Sequence, residues 1–497
     1  MKRKSTSPLA PISCQRSIIQ TNIISAAEAL YQVMCDLNAE RQQTGKRIAI
    51  VSGGSVSGYS AALMLVAEGF NVILAEKRMR STRDNVISLK QEALYMLAKL
   101  SPNGSLLREL YAKKLITPHQ RAIEDQEGLL RIYDEPTNTL LSWLASTSVQ
   151  VPKDSDAAQP PQFNNWNPEW SSKTYRKNLA HAQIADLEEG LNHYCVNVPG
   201  LRIIRSNIQL LPPTKGSTLF IPEFYFEEAK HSCLRPDFPI DLICIAEGAN
   251  SQSRKIIGGE WPVVDPNENW WYGNYMGAPD SLGGFQNFTI IPAGNIATLY
   301  IEKEEKSLAN IGVYFQDSEN AENINVKHQA AQKYLLAAGS PLNIHQQNRD
   351  FDSGPISILL RRARSPIKGN VVLVGDAAAS GSPVGGLGAS LAMSAYPAAL
   401  QRLVRDQRFW LDSTNTESNM PVINYLTDLA NIADIFHARA AESMGAVGLY
   451  SEKTRQELLH QSACAHAEIS LQSGDIIKSS SKHNVHFSQR AEASVGI

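Results

Sequence analysis

The chain is 497 residues long, 43% hydrophobic and 19% charged, with a formal net charge of −2. This length is too great for one small core and predicts two or more domains, while the near-neutral charge gives no electrostatic reason to expect nucleic acid or an anionic membrane as partner. No apolar run approaches the roughly 20 residues that cross a bilayer, and no apolar core follows Lys2, Arg3 and Lys4, so the expected setting is cytoplasmic, without an integral membrane segment.

Residues 1–44 form an extension. Its apolar positions Ala26, Leu30, Val33, Met34 and Leu37 fall at helical spacing between Ser25 and Arg41, which predicts a helix packed on the main body or on a second subunit. Arg47–Ser52 is a short apolar strand broken by Gly53 and Gly54. A helix follows from about Val56 to Glu68, with Ala61, Ala62, Leu65 and Val66 on its buried face, and Gly69 caps its end. Asn71–Ala75 is the second strand and delivers Glu76. Leu89–Leu100 has a helical pattern, Gln150–Trp170 is an aperiodic polar loop, and His181–Tyr194 is predicted as a helix with Ile184, Leu187 and Leu191 on one face. Asp241–Ala246 and Asn370–Val374 are continuous apolar runs, the mark of buried parallel strands. Between them, Trp270–Tyr275 and Ile296–Ile301 suit antiparallel strands. Beyond Asp406 the pattern is mainly helical to Leu471, and the end, with Ser479–Lys482, reads as a polar tail.

The segment Gly53-Gly54-Ser55-Val56-Ser57-Gly58 carries the first chemistry. Gly53 permits the tight turn from strand to helix, and Gly58 lets helix and strand pack closely. Ser55 stands where a third glycine is usual and is the smallest substitute that carries a hydroxyl. The amides at the helix start, aided by the dipole, suit a dianionic pyrophosphate. Glu76 lies about 20 residues on, where a carboxylate binds a ribose 2′-hydroxyl. An acidic residue there disfavours a 2′-phosphate, which leaves FAD or NAD as the nucleotide.

At these residues the sequence resembles the FAD-dependent, aromatic-hydroxylase-type (group A) flavoprotein monooxygenases, over roughly Lys46 to Leu400. The glycine turn is one shared stretch. A second is Ile243–Arg254, which is similar to the family's Asp-Gly segment, with Glu247 in the Asp position followed by Gly248, Ser251 and Arg254; the resemblance implies a part in FAD and NAD(P)H binding. The third, Val371–Ser390, resembles the family's Gly-Asp motif, in which Gly375, Asp376, Pro383, Gly385, Gly386 and Gly388 match. The resemblance implies that Asp376 accepts a hydrogen bond from the ribityl chain. It also implies that Gly386-Leu387-Gly388 opens a helix whose amides face the isoalloxazine O2 and N1 region, stabilising negative charge on reduced flavin. Two positions depart from the pattern: Ala379 replaces the usual His and Ser390 the usual Asn. Arg83, soon after the second strand, resembles the family's arginine that contacts FAD phosphate or ribityl, with a solvated surface Arg as the alternative, and Lys77 beside Glu76 is a further candidate FAD contact. The predicted helix His181–Tyr194 occupies the place where the family has Arg or Gln reaching the ribityl chain; strict leucine spacing puts Ile184 there, and Gln183 beside it is the candidate.

The fold so implied is α/β. A Rossmann-type FAD-binding domain (residues 45–135, 175–215, 236–262 and 355–405) is interwoven with a mixed or antiparallel-sheet substrate domain (136–174, 216–235 and 263–354). A helical region (406–475) and a polar tail (476–497) complete the chain. The activity implied is monooxygenation. NAD(P)H is the co-substrate, and reduced flavin and O2 give a C4a-hydroperoxide that passes one oxygen atom to a small apolar or aromatic substrate.

No catalytic triad, carboxylate pair or metal spacing stands out, which agrees with chemistry carried by a cofactor. His181, His193 and His437 fall on predicted helices and read as satisfied core or surface residues rather than bases. Trp270, Trp271, Tyr272 and Tyr275 read first as core and second as a substrate pocket. The scattered cysteines read as reduced thiols in small core positions, and the basic pairs Lys77–Arg78 and Arg361–Arg362 as solvated faces. Alternatives on the same fold are a reductase or a halogenase, although the W-x-W-x-I-P segment of tryptophan halogenases is absent. A non-catalytic flavin-binding interaction protein is a further alternative. The oligomeric state, monomer or homodimer, stays open.

Overall fold

The computed structural model describes residues 12–118, 120–124, 130–134, 178–226, 233–277, 288–289, 295–303, 306–315, 329, 349–352, 356–410, 419–446 and 450–481, with residues 79–80, 82, 84 and 384–385 excepted. The chain opens with helix α1 (Ile12–Thr44), then β1 (Ile48–Ser52), α2 (Val56–Ala67) and β2 (Asn71–Ala75). There follow β3 (Val86–Lys90), α3 (Gln91–Lys99), β4 (Asn178–Gln183), α4 (Ile184–Val196) and β5 (Leu201–Ile204). Next come β6 (Leu242–Ile245), α5 (Gln252–Ile257), β7 (Val264–Gly277), β8 (Ile356–Arg362) and β9 (Val371–Leu373). Four helices end the described chain: α6 (Gly388–Met393), α7 (Ala395–Arg405), α8 (Asn419–Ala446) and α9 (Glu452–Ser481).

The strands read as continuous apolar runs form one sheet. Its order is Ile367–Lys368, β9, β6, β1, β2, β5, with every pair parallel except the short edge strand on β9. Every residue of β1, β2, β6 and β9 is buried, as expected of strands covered on both faces. β1 sits in the middle, with β2 on one side and β6 on the other. The strand order therefore reverses at the C-terminal end of β1, which is where open parallel sheets bind their ligands.

A second sheet is built on β7, which pairs antiparallel with Lys306–Phe315, Arg349–Asp352 and β8. β8 in turn pairs with the short strand Ala379–Ser380, Arg361 opposite Ser380 and Arg362 opposite Ala379. This second sheet is thus hydrogen-bonded directly to the segment that follows Asp376.

α1 packs on the main body, burying Leu30, Met34 and Leu37. Its end is fixed by Arg41, which donates to the Pro239 carbonyl and pairs with Asp241 at 3.0 Å, while Asp241 also accepts the Ile48 amide that starts β1.

Three expected element boundaries are corrected. His181 lies in a strand, not a helix: β4 pairs with β3, His181 opposite Ser88 and Gln183 opposite Val86, and α4 begins only at Ile184. For the same reason Leu89 belongs to β3, and the helix predicted over Leu89–Leu100 begins at Gln91. Cross-strand pairing outweighs a helical period of leucines that both elements share. The polar end is helical as far as Ser481, because α9 runs without a break from Glu452. The predicted loop Gln150–Trp170 lies outside the described residues.

Candidate cofactor site

The glycine turn at the end of β1 is shaped by contacts that leave no room for side chains. Gly53 has φ +101°, and a Cβ there would stand 2.5 Å from the Ala246 carbonyl oxygen. A Cβ on Gly58 would stand 1.7 Å from the Gly53 carbonyl oxygen, so the first turn of α2 lies directly on the loop. Ser55 is the N-cap with extended backbone and makes no side-chain capping bond, so its hydroxyl does not compete for the amides at the start of α2. Ser57 Oγ is buried with no hydrogen-bond partner. It packs under Gly375, where a Cβ would meet it at 2.3 Å. The Gly53–Gly58 turn and the Gly-Asp segment are therefore in direct contact.

Glu76 closes the turn from the side. Its Oε2 accepts the Gly54 amide at 2.6 Å, and its Oε1 accepts the Arg78 amide at 2.7 Å and Arg78 Nε at 3.0 Å. Burial pushes this carboxyl up, but the Arg78 side chain and the two backbone donors outweigh it and hold it below the usual range. The group is ionised at neutral pH, aligned by the turn it serves. Lys77 is exposed, and Arg78 is the cation that meets the carboxylate. The solvated-face reading of Lys77–Arg78 thus fails for Arg78, and nothing in the dipeptide marked which of the two turns inward.

The Glu247–Arg254 segment acts as a brace. Glu247 accepts Ser52 Oγ at 3.0 Å, Ser251 Oγ at 2.8 Å and Ser253 Oγ at 2.8 Å, which ties the end of β1 to the start of α5. Gly248 has φ +80°, a conformation only glycine holds without strain. Arg254 is fully buried; it donates to the carbonyls of Asp376 and Ala377 at 3.2 Å each and pairs with Glu260 at 3.0 Å. One of the three matched segments thus holds another by its backbone.

Asp376 stands just past β9, in the single helical turn Gly375–Ala377. Desolvation holds its carboxyl above the usual range, against the pull of Arg83 and Arg254. No hydrogen bond from a described residue reaches it. Arg83, itself exposed, accepts the Ala185 amide on its carbonyl at 2.9 Å, so its loop rests on the start of α4 directly after Gln183. Gln183 is buried as the N-cap of α4. Further on, Gly386 (φ +59°) donates its amide to the Pro383 carbonyl and lies against Ser88 of β3. Leu387 is buried as the N-cap of α6, which starts at Gly388. Ser390 accepts the Lys90 amide at 2.9 Å, locking α6 to the end of β3. Where the family pattern has Asn, this chain carries a structural tie. Gly385 lies outside the described residues.

Other expectations resolve differently. Arg361 pairs with Glu260, and Arg362 is buried and pairs with Asp434 of α8, so the second basic pair is not a solvated face either. Cys195 and Cys244 are buried as expected, whereas Cys233 is exposed. His437 is buried with Nε2 donating to the Ser380 carbonyl at 2.9 Å, and burial lowers its pKa to about 4. Trp270 is buried in β7; the side chains of Trp271, Tyr272 and Tyr275 lie outside the described residues. Among the described residues no cluster of His, Cys, Asp and Glu suits a metal ion, and no helix is long and apolar enough to cross a membrane.

An unfilled carboxylate at Asp376, a buried unpaired hydroxyl at Ser57 and a glycine cradle at a strand-order reversal fit a dinucleotide such as FAD. No protein-family model and no curated protein matches the sequence. The fold is nevertheless shared with solved flavin-dependent enzymes. PqsL of P. aeruginosa in complex with 2-aminobenzoylacetate is similar at TM-score 0.52 and 14% identity, over 83% of this chain and 98% of that one. CmlS, a flavin-dependent halogenase, is similar at TM-score 0.53 and 14% identity, over 83% and 67%. Aklavinone-11 hydroxylase, solved with FAD and aklavinone, is similar at TM-score 0.50 and 16% identity, over 80% and 70%.

Proposed function

We propose that the chain is an FAD-dependent monooxygenase that uses NAD(P)H and O2 to place one oxygen atom in a small apolar or aromatic substrate. The observation that carries this reading is the convergence, at the C-terminal end of β1, of the Gly53–Gly58 turn, the ionised Glu76 and the unfilled Asp376 carboxylate. Amides at the start of α2 would hold the pyrophosphate, with Ser55 and Ser57 adding hydroxyls. Glu76 would accept from the adenosine ribose, and Asp376 from a ribityl hydroxyl, with Arg83 near it; Gln183, at the start of α4, would be a further contact. Lys77, exposed next to Glu76, would meet the nucleotide from solvent. Pro383, Gly386, Leu387 and Gly388 would border the isoalloxazine. Glu247, beside Gly248, ties the end of β1 to the start of α5, from which Arg254 holds the backbone of Asp376 and Ala377. When bound, FAD would supply electron transfer from NAD(P)H and reaction with O2. The protein's own work in such a reaction would be to bind, orient and exclude water.

The test is a screen of small aromatic and lipid-like compounds for stimulated NAD(P)H oxidation, followed by mass spectrometry of the product formed under 18O2. Incorporation of one labelled atom supports the proposal. A reduced alkene without label would replace it with a reductase, and a halide-dependent product with a halogenase.

A further inference from the structure

Glu268 is a buried carboxylate that the cofactor site leaves unexplained. It lies on β7, 1% exposed, with hydrogen bonds from three separate places. Oε1 accepts Trp270 Nε1 from the same strand at 2.6 Å and Ser382 Oγ at 2.6 Å; Oε2 accepts the Tyr450 hydroxyl, between α8 and α9, at 2.7 Å. Ser382 belongs to the segment that joins Asp376 to α6, and it too is buried. Burying a carboxylate is unfavourable unless its oxygens are satisfied, and a leucine would pack a strand at lower cost. The charge is therefore not explained by packing. What it does is join the substrate-side sheet, the segment beside the flavin site and the C-terminal helices at one pair of oxygens. A second tie acts beside it, where His437 of α8 donates to the Ser380 carbonyl.

We infer that Glu268 is a positioning residue for the flavin: through Ser382 it holds the backbone leading from Asp376 to Gly386–Gly388 in the shape that receives the isoalloxazine. The inference rests on the FAD reading above. Ala379 stands where the resembled family has a polar His, and Ser390 is committed to the end of β3, so the restraint on the loop between them arrives from outside it. A carboxylate suits the task because it accepts from all three donors at once, whereas a neutral side chain of similar size satisfies them only by reversing one bond. In Glu268→Gln the amide oxygen accepts from Trp270 and Ser382 while the amide nitrogen donates to the Tyr450 oxygen. That variant should hold the segment. Glu268→Ala should not.

The experiment uses the full chain, with and without FAD. In the FAD-free protein, hydrogen exchange of the amides of Ser380, Gly381, Ser382, Gly386 and Leu387 should quicken about tenfold or more in Glu268→Ala, with β1 and β6 unchanged. The dissociation constant for FAD, read by quenching of flavin fluorescence, should rise at least about fivefold, and Glu268→Gln should restore most of both. Ser382→Ala, which removes only the segment's own hydroxyl, should shift both in the same direction and serves if Glu268→Ala does not fold. Unchanged local exchange and FAD affinity in Ser382→Ala and Glu268→Ala would overturn the inference. So would a uniform rise in exchange across the parallel sheet, or a Gln variant no better than Ala. If wild-type protein binds no FAD, the flavin reading fails, and the exchange result still decides whether Glu268 holds the segment.

Discussion

Glu76 and Asp376 are both carboxylates at the ends of parallel strands, and their surroundings drive them in opposite directions. Glu76 has donors on both oxygens and titrates below its usual range, so its contribution to stability is present above the unfolded-state value and fades only as the pH falls through the lower folded one. Asp376, half-buried, receives no hydrogen bond from a described residue, and desolvation holds it above its usual range. The folded state then binds more protons than the unfolded one between the two values, and stability falls as the pH rises through that window. The unmet acceptor is what a ribityl hydroxyl would fill. Asp376→Asn should therefore raise the thermal midpoint of the FAD-free protein at neutral pH while weakening FAD binding about tenfold, the loss of one charge-assisted hydrogen bond. Differential scanning fluorimetry and fluorescence titration check the two halves. A variant with lower stability and unchanged affinity would contradict the assignment. Glu76 and Asp376 themselves were legible from spacing and motif. Arg78 was not, because whether a cation beside a strand end turns inward is decided by the turn across from it and not by its neighbours in sequence.

At the scale of elements, the β1–turn–α2–β2 unit was readable because each part declares itself locally: apolar strand, glycines, amphipathic helix, capping Gly69. Gly58 is where that unit is least forgiving, since a Cβ would collide with the Gly53 carbonyl oxygen. Gly58→Ala should cost about 3 kcal/mol of stability by forced displacement of α2 and abolish FAD retention, both measurable on the purified variant. A folded variant that keeps its FAD would remove the turn from the site. The β3–β4 pair was not legible, because its strands are set by pairing between residues some ninety apart, for example Ser88 with His181. A window of neighbouring sequence holds no trace of that partner. The brace built by Arg254 was half legible: motif placed the residue near FAD, while its actual partners are backbone carbonyls of the Gly-Asp segment.

Over the whole molecule, the C-terminal helices are fastened to β8, β9 and the segment after β9 rather than merely appended. Tyr425 donates to the Leu373 carbonyl at the end of β9, His437 to the Ser380 carbonyl, and Asp434 pairs with Arg362. These contacts involve polar residues that an apolar helical pattern does not predict, which is why the sequence places the helices but not their role. His437 gives this fastening a pH signature. Burial holds its folded pKa at about 4, below the ordinary histidine value of about 6.5, so the unfolded state takes up a proton first and stability falls as the pH drops from about 6.5 towards 4. The loss should reach about 3 kcal/mol, and His437→Gln, which keeps a donor for Ser380 but cannot titrate, should abolish that slope in urea unfolding curves taken across the range. An unchanged slope would show that the imidazole is not neutral when folded. The account as a whole turns on one claim, that the segments meeting at the end of β1 bind FAD. Titrating FAD into the FAD-free full chain, with excess NAD⁺ present and flavin fluorescence as the signal, tests it directly. The account predicts saturable quenching at one FAD per chain that NAD⁺ does not reverse; no uptake, or displacement by NAD⁺, would contradict it.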